Sequence, residues 1–204
     1  MSIAPTRRTT APRKRGDDTR AKIIDETVRC IMEEGFAAAT AKHVAERAGV
    51  TWGVIQYHFG DRNGLLMAVV DDGVVRLVDS LSSADVSELP LRERIEVVVD
   101  IAWSCYSSPT SMAAFEILRA TRGGPGESSR RHLLEMNSAI GQLGRLITED
   151  PANAGVAEII WATLRGVVLA QMIMGTAIDW SQERRALIDM VAHYLSAGRQ
   201  YRDT

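Results

Sequence analysis

The sequence predicts an all-α chain of about nine helices, and three observations agree on it. Apolar residues recur at three- and four-residue intervals, no stretch sustains the alternation of a half-buried strand, and Gly, Pro and Ser clusters interrupt the pattern at helix-length spacing. The 204 residues, 46% hydrophobic and 25% charged, suffice for one compact domain or two small ones with a sizeable core. That composition excludes a disordered, collagenous or disulfide-stapled chain.

Residues 1–18 are rich in Arg, Thr, Pro and Gly with no apolar face, and they read as a disordered basic arm. Its cationic residues suit phosphate contacts or minor-groove insertion, and equally a solvated tail. A helix begins at Thr19, carries Ile24, Val28 and Ile31 on one stripe and stops at Gly35, the residue type that most easily turns left-handed. Thr40 is placed to cap a short helix through Ala48, Gly49-Val50 is a tight break, and Thr51 can cap a third helix to about His58. Asp61 is placed to cap a long helix reaching about Ser82. Three short helices thus form a unit over residues 19–64, and residues 65–204 form a second. In the second unit the breaks fall at Ser87 to Pro90, Ser107 to Pro109, Gly123 to Gly126, Glu149 to Asn153 and Asp179 to Ser181. The last two long helices run from about Ala154 to Ile178 and from Ser181 to Tyr201.

Cys30 and Cys105 stand far apart with no CxxC and no Cys/His cluster, so neither a disulfide framework nor a zinc site is expected. His43, His58, His132 and His193 have no companions at ligand spacing, and no cofactor is implied. The longest strongly apolar stretch, Gly166 to Ile178, carries Gln171 and is shorter than the roughly 20 residues of a membrane span. Arg7, Arg8, Arg13, Lys14 and Arg15 are not followed by an apolar region, so they do not make a secretory signal. A cytoplasmic protein without a membrane partner is the expectation.

The segment from Ala41 to Phe59 carries the most information. Val44 and Ala48 share a helix face, Ala45 at its edge permits close approach, Gly49 supplies the turn, and Val50 and Ile55 close the corner. Two short helices packed near a right angle over such a turn make a helix-turn-helix, although a plain αα-corner in a helical core uses the same spacing. The outward residues favour the former. Trp52 with Gln56, and Gly53 with Tyr57, present an aromatic ring, an amide and a phenol where a buried corner would place apolar groups.

Thr19 through Leu66 resembles the DNA-binding domain of TetR-family transcriptional regulators. The resemblance rests on Thr40-x-x-x-Val44-Ala45-x-x-Ala48-Gly49-Val50, followed by Ile55-x-Tyr57-His58-Phe59 and Leu65-Leu66. It implies base-facing roles for Lys42, Trp52, Gly53 and Gln56, and phosphate contacts from Thr40, Thr51, Tyr57, His58 and Arg62. His58 can also pack or cap its helix end, and Trp52 can be half-buried against the second helix. The family usually has Tyr where Gln56 stands, and Gln can pair with adenine, so the departure bears on which operator is read.

The resemblance further implies that residues 65–204 enclose a small-molecule effector site. Candidate effector contacts are Trp103, Tyr106, Phe115, Arg119, Met136, Ile140 and Gln171, whose apolar members also serve as plain core. The first of the last two helices has two apolar stripes, Ile159, Thr163, Val167, Ala170 and Met174 on one and Trp161, Leu164, Val168 and Met172 on the other. A helix apolar on nearly all sides needs cover on both. The second stripe, with Leu187, Val191, Tyr194 and Leu195 of the last helix, is the expected homodimer interface, burying more than about 2,000 Å².

The function expected is a ligand-responsive repressor released from a palindromic operator by a largely apolar effector. Two alternatives come from other classes. A helical enzyme would need a nucleophile–base pair, paired carboxylates or metal spacing, and none is legible. A protein-interaction adaptor would bind without steep salt dependence. The net charge of −2 does not argue against DNA, because residues 1–64 carry 11 basic and 8 acidic side chains while the rest carry 13 and 18.

Overall fold

The computed structural model describes residues 11–121, 138, 141 and 143–200, and every described regular element is helical. The chain divides into two compact units between Val69 and Val70. That boundary falls inside a helix, a few residues beyond the one expected from sequence.

In the N-terminal unit, α1 spans Ala11–Glu34, α2 Ala41–Ala48 and α3 Trp52–Phe59, with a 3-10 turn at Phe36–Ala38, and α4 (Arg62–Ser82) begins there. The expected disordered arm is corrected in its described part, where α1 already starts at Ala11. Ala, Arg and Lys are strong helix formers and Pro12 fits a first turn, so helix propensity continues through a segment that lacks an apolar face. Ile23, Ile24, Val28, Cys30 and Ile31 form the buried stripe of α1. Thr27, buried among them, donates its hydroxyl to the Ile23 carbonyl at 2.8 Å. Gly35, at φ +86°, ends the helix as expected.

The C-terminal unit contains the remainder of α4, then α5 (Leu91–Tyr106), α6 (Pro109–Ala120), helical residues 143–147 (α7), α8 (Gly155–Met174) and α9 (Ser181–Gln200). Pro109 opens α6 where its missing N–H costs nothing, and the Ser108 hydroxyl accepts from the Ser111 N–H at 3.3 Å. The helix α5 packs against both α8 and α9. Its Ile95, Val98, Val99 and Ala102 are fully buried with Leu143, Ile147, Ile160, Leu164 and Val168. Arg184 of α9 fixes the rim of this core through Asp100 at 2.6 Å and Glu96 at 3.0 Å.

The helix α8 ends at Met174, earlier than expected, because Gly175 turns left-handed at φ +68°. Its 20 residues have a mean hydropathy of 1.5, so by length and composition alone it could cross a bilayer, contrary to expectation. One face of it instead lies in the core of the unit. That face is the stripe expected to bind a second copy. Trp161, Leu164 and Val168 are buried, as are Leu187, Val191 and Leu195, Met172 is half-buried, and only Tyr194 of the set is exposed. The large apolar residues that α8 and α9 leave exposed are Ile159, Leu169, Ile173 and Met174 with Met190 and Tyr194.

Candidate nucleic-acid interface

The turn between α2 and α3 follows from three residues. Thr40 is extended at φ −83°, ψ 150°, and its hydroxyl accepts from the His43 N–H at 3.2 Å, capping α2. Gly49, at φ +66°, takes the left-handed conformation that closes α2, and the Val50 N–H donates to the Ala45 carbonyl at 2.9 Å. Ala41, Val44, Ala45 and Ala48 are buried beneath the turn together with Ile55 of α3.

With Ile55 anchored, the helix exposes the residues at positions 52, 53, 56 and 57. Trp52 is 48% exposed, Tyr57 is 85% exposed, and Gln56 is free on the same helix surface. A Cβ added to Gly53 would meet only Thr51 Oγ1 at 3.7 Å, so the fold itself does not require glycine there. Its bare backbone leaves room for a groove wall. Thr51 occupies the N-cap with extended backbone but makes no side-chain cap bond, which leaves its hydroxyl and the first N–H groups of α3 available to an anion. Lys42 projects from α2 with its ammonium 4.0 Å from Glu46. A pair so exposed is weak, and a phosphate can displace it.

Two expected phosphate contacts are placed differently. Half-buried His58 lies between the rings of Tyr57 and Phe59, at 5.0 and 6.0 Å, and a Cβ on Gly16 would reach its Cε1 at 4.0 Å. His58 thus lies beside α1 as well as at the end of α3. Arg62 is engaged by backbone carbonyls of the segment between α1 and α2. It donates Nε to the Ala39 carbonyl at 2.7 Å and one Nη to the Phe36 carbonyl at 3.1 Å, with its guanidinium 4.8 Å from the Phe36 ring. The Ala39 carbonyl, and the second lone pair of the Phe36 carbonyl that already accepts from the Ala39 N–H at 3.3 Å, receive a rigid donor fork. Arg62→Ala is expected to cost about 2 kcal/mol of stability. A denaturant melt checks this, and an unchanged midpoint with uniformly weaker DNA binding would return Arg62 to a phosphate role.

Behind α2 lies an acidic clasp that sequence spacing did not reveal. Arg47 bonds Glu26 and Glu33 at 2.7 Å each, and it bonds Glu34 as well. His43 Nε2 stands 2.9 Å from the other oxygen of Glu34. Hydrogen bonds from His43 and Arg47 hold the Glu34 carboxyl below the usual carboxylate range, and those carboxylates push the Arg47 guanidinium above its ordinary value. This clasp fixes α2 to α1. It also places Cys30, Glu34 and His43 together. Only the i, i+4 relation of Cys30 and Glu34 could have signalled that grouping, because His43 comes from another helix.

The expected effector contacts separate in the structure. Tyr106 and Phe115 line a narrow cavity of about 40 Å³ with Val70, Leu77 and Trp161. Tyr106 meets Phe115 and Trp161 edge-on at 4.9 and 4.3 Å. Its buried hydroxyl and the Trp161 indole N–H have no hydrogen-bond partner among the described residues. Burial pushes the Tyr106 phenol well above its ordinary range. Trp103 instead packs tilted against Trp180 with ring centroids 4.6 Å apart, and Gln171 accepts from the Ile178 N–H at 2.9 Å to organise the turn after α8. Exposed Arg119 pairs with Glu116 at 2.8 Å. Met136 and Ile140 lie outside the described residues.

Residues 23–69 match the family model described as bacterial regulatory proteins, tetR family. Over 84 residues the chain is 37% identical to the HTH-type transcriptional regulator BetI of Escherichia coli (strain UMN026), a match spanning 40% of this chain and 43% of that relative. Among solved structures, the TetR transcription regulator of Haloarcula marismortui aligns with a TM-score of 0.68 at 18% identity, covering 89% of this chain and 98% of that one. The fatty acid degradation regulator FadR of Bacillus halodurans aligns with a TM-score of 0.67 at 18% identity, covering 84% and 97%. The multidrug binding protein EbrR, solved with imidazole, gives 0.62 at 21%, covering 91% and 95%. At these identities the structural likeness speaks to the fold.

Proposed function

We propose that this chain, whose residues 23–69 match the family model of tetR bacterial regulatory proteins, is a TetR-family regulator and a cytoplasmic homodimeric repressor that binds a palindromic operator through α3 and leaves it when an effector binds. The observation that carries the reading is the division of α3 into one fully buried residue, Ile55, and an open face of Trp52, Gly53, Gln56 and Tyr57. An eight-residue helix needs only that anchor to sit on its domain. The aromatic and amide groups on its free side have no role in the core. They match the hydrogen-bonding edges and thymine methyl groups of a major groove.

Homodimerisation is supported by Ile159, Ile173, Met174, Met190 and Tyr194, which α8 and α9 leave exposed. A second copy covers such a face, and a two-fold axis presents two recognition helices to a palindrome. The effector site is placed at the Tyr106, Phe115 and Trp161 cluster. The buried Tyr106 hydroxyl and Trp161 indole N–H, without partners among the described residues, would be satisfied by a ligand with a hydrogen-bond acceptor on an apolar body, and the cavity of about 40 Å³ has to open to admit it.

Selection of binding sequences followed by gel shifts tests the proposal. Gln56→Ala is expected to cost about 1–3 kcal/mol on the selected operator and to relax selectivity at one base pair. Binding of the parent protein falls steeply with salt. Equal losses on operator and scrambled DNA would remove Gln56 from base readout, and salt-independent binding would favour a protein-interaction adaptor.

A further inference from the structure

We propose that Cys30, Glu34 and His43 form a site for a divalent transition metal of the zinc class, tying α1 to α2. The three ligand atoms, Cys30 Sγ, a Glu34 carboxylate oxygen and a His43 ring nitrogen, lie within 4.8 Å of one another. Bond lengths of about 2.0–2.3 Å put the ligands of a tetrahedral zinc ion roughly 3.5 Å apart, so side-chain rotation of about an ångström closes the site. A thiolate, an imidazole and a carboxylate suit a borderline-soft ion and do not suit calcium or magnesium, which take oxygen ligands. The fourth position is left to water.

The framework is rigid. Cys30 and Glu34 stand one turn apart on α1, and His43 stands in the first turn of α2, whose cap fixes its backbone. Arg47 bonds one oxygen of Glu34 while the other faces His43 Nε2 at 2.9 Å. It thereby orients the free oxygen from behind, as groups around metal ligands do. The surrounding charge attracts a cation: Glu26, Glu33 and Glu34 face the clasp, against Arg47 and the Arg29 that pairs with Glu26 at 2.8 Å. Burial raises the Cys30 thiol above its ordinary value, and a bound metal releases that proton to solvent and takes its place. Entry is from the surface, since Glu34 and His43 side chains are each 38% exposed while Cys30 is closed off behind them.

The site stands independently of DNA reading. Chelator-treated full-length protein is titrated with Co²⁺ alone, and absorption is followed. The expected result is a thiolate-to-cobalt charge-transfer band that saturates at one ion per chain and is bleached by Zn²⁺. The band persists in Cys105→Ser and is lost in Cys30→Ser. Because Cys30 is buried and its variant can unfold, His43→Gln supplies the second arm. With circular dichroism unchanged, its Co²⁺ affinity falls at least about tenfold. No thiolate band in the parent protein, or unchanged affinity in His43→Gln, overturns the proposal. Either outcome leaves Cys30 as a small core residue beside a surface His43–Glu34 hydrogen bond.

Discussion

Gly64→Ala unfolds the N-terminal unit, with an expected stability loss above about 3 kcal/mol. At the corner between α3 and α4, Gly60 turns at φ +77° and Asp61 caps α4 by accepting from the Gly64 N–H at 2.8 Å. The Leu65 N–H donates to the Asp61 carbonyl at 3.0 Å. A Cβ at position 64 would lie 1.9 Å from the Phe59 carbonyl oxygen and 3.1 Å from its carbon. The obstacle is backbone, so no rotamer change relieves it. Nor can α4 back away, because Leu65, Leu66 and Val69 behind the corner are fully buried. Thermal and denaturant melts give the loss, and DNA binding falls on every sequence alike. Gly53→Ala is the contrast: its Cβ finds ordinary contact at 3.7 Å, so stability holds or rises by up to about 1 kcal/mol while operator binding suffers. Equal melting of Gly64→Ala and the parent would refute the account.

The second large effect separates assembly from folding. Combining Ile159→Glu with Ile173→Glu is expected to weaken self-association by at least roughly a thousandfold, or about 4 kcal/mol, because each two-fold interface would have to bury four carboxylates. Light scattering should then return a species near the 22.4 kDa of one chain with its helicity intact. Ile159 is 59% exposed and Ile173 is 77% exposed, so the monomer has no reason to unfold. Trp161→Ala acts in the opposite way. It removes a ring packed on Tyr106 at 4.3 Å inside the core, for an expected stability loss of about 3–5 kcal/mol. A dimer that survives both glutamates would move the interface elsewhere.

The helix-turn-helix was legible because its rules are local. Thr40, Gly49 and Asp61 act within four residues of their own positions, and each does what its side chain and backbone suggested. The open face of α3 was legible for the same reason, since period and residue type separate Ile55 from Gln56 and Tyr57. Arg62 was not, because its acceptors, the Phe36 and Ala39 carbonyls, lie more than twenty residues back in the chain. The Cys30, Glu34 and His43 cluster escaped a spacing argument because packing of α1 on α2 brings it together. Thr51 shows a milder difference, occupying the cap position without using its hydroxyl as the cap.

The clearest division lies in α8. Its sequence determines a long helix with two apolar stripes, and so determines that both need cover. Glu158 and Arg165, on the side of α8 that also carries Leu169 and Ile173, are the signal in the sequence for the side that stays outside the core, since a charged side chain resists burial without a partner. The choice itself belongs to the tertiary structure. Once Ile95, Val98 and Val99 of α5 close over Trp161, Leu164 and Val168, that stripe is spent on the core. Helical periodicity is a property of one segment, whereas burial is a competition among all the faces that a chain can bring together, and only packing decides which of two similar faces meets its own fold.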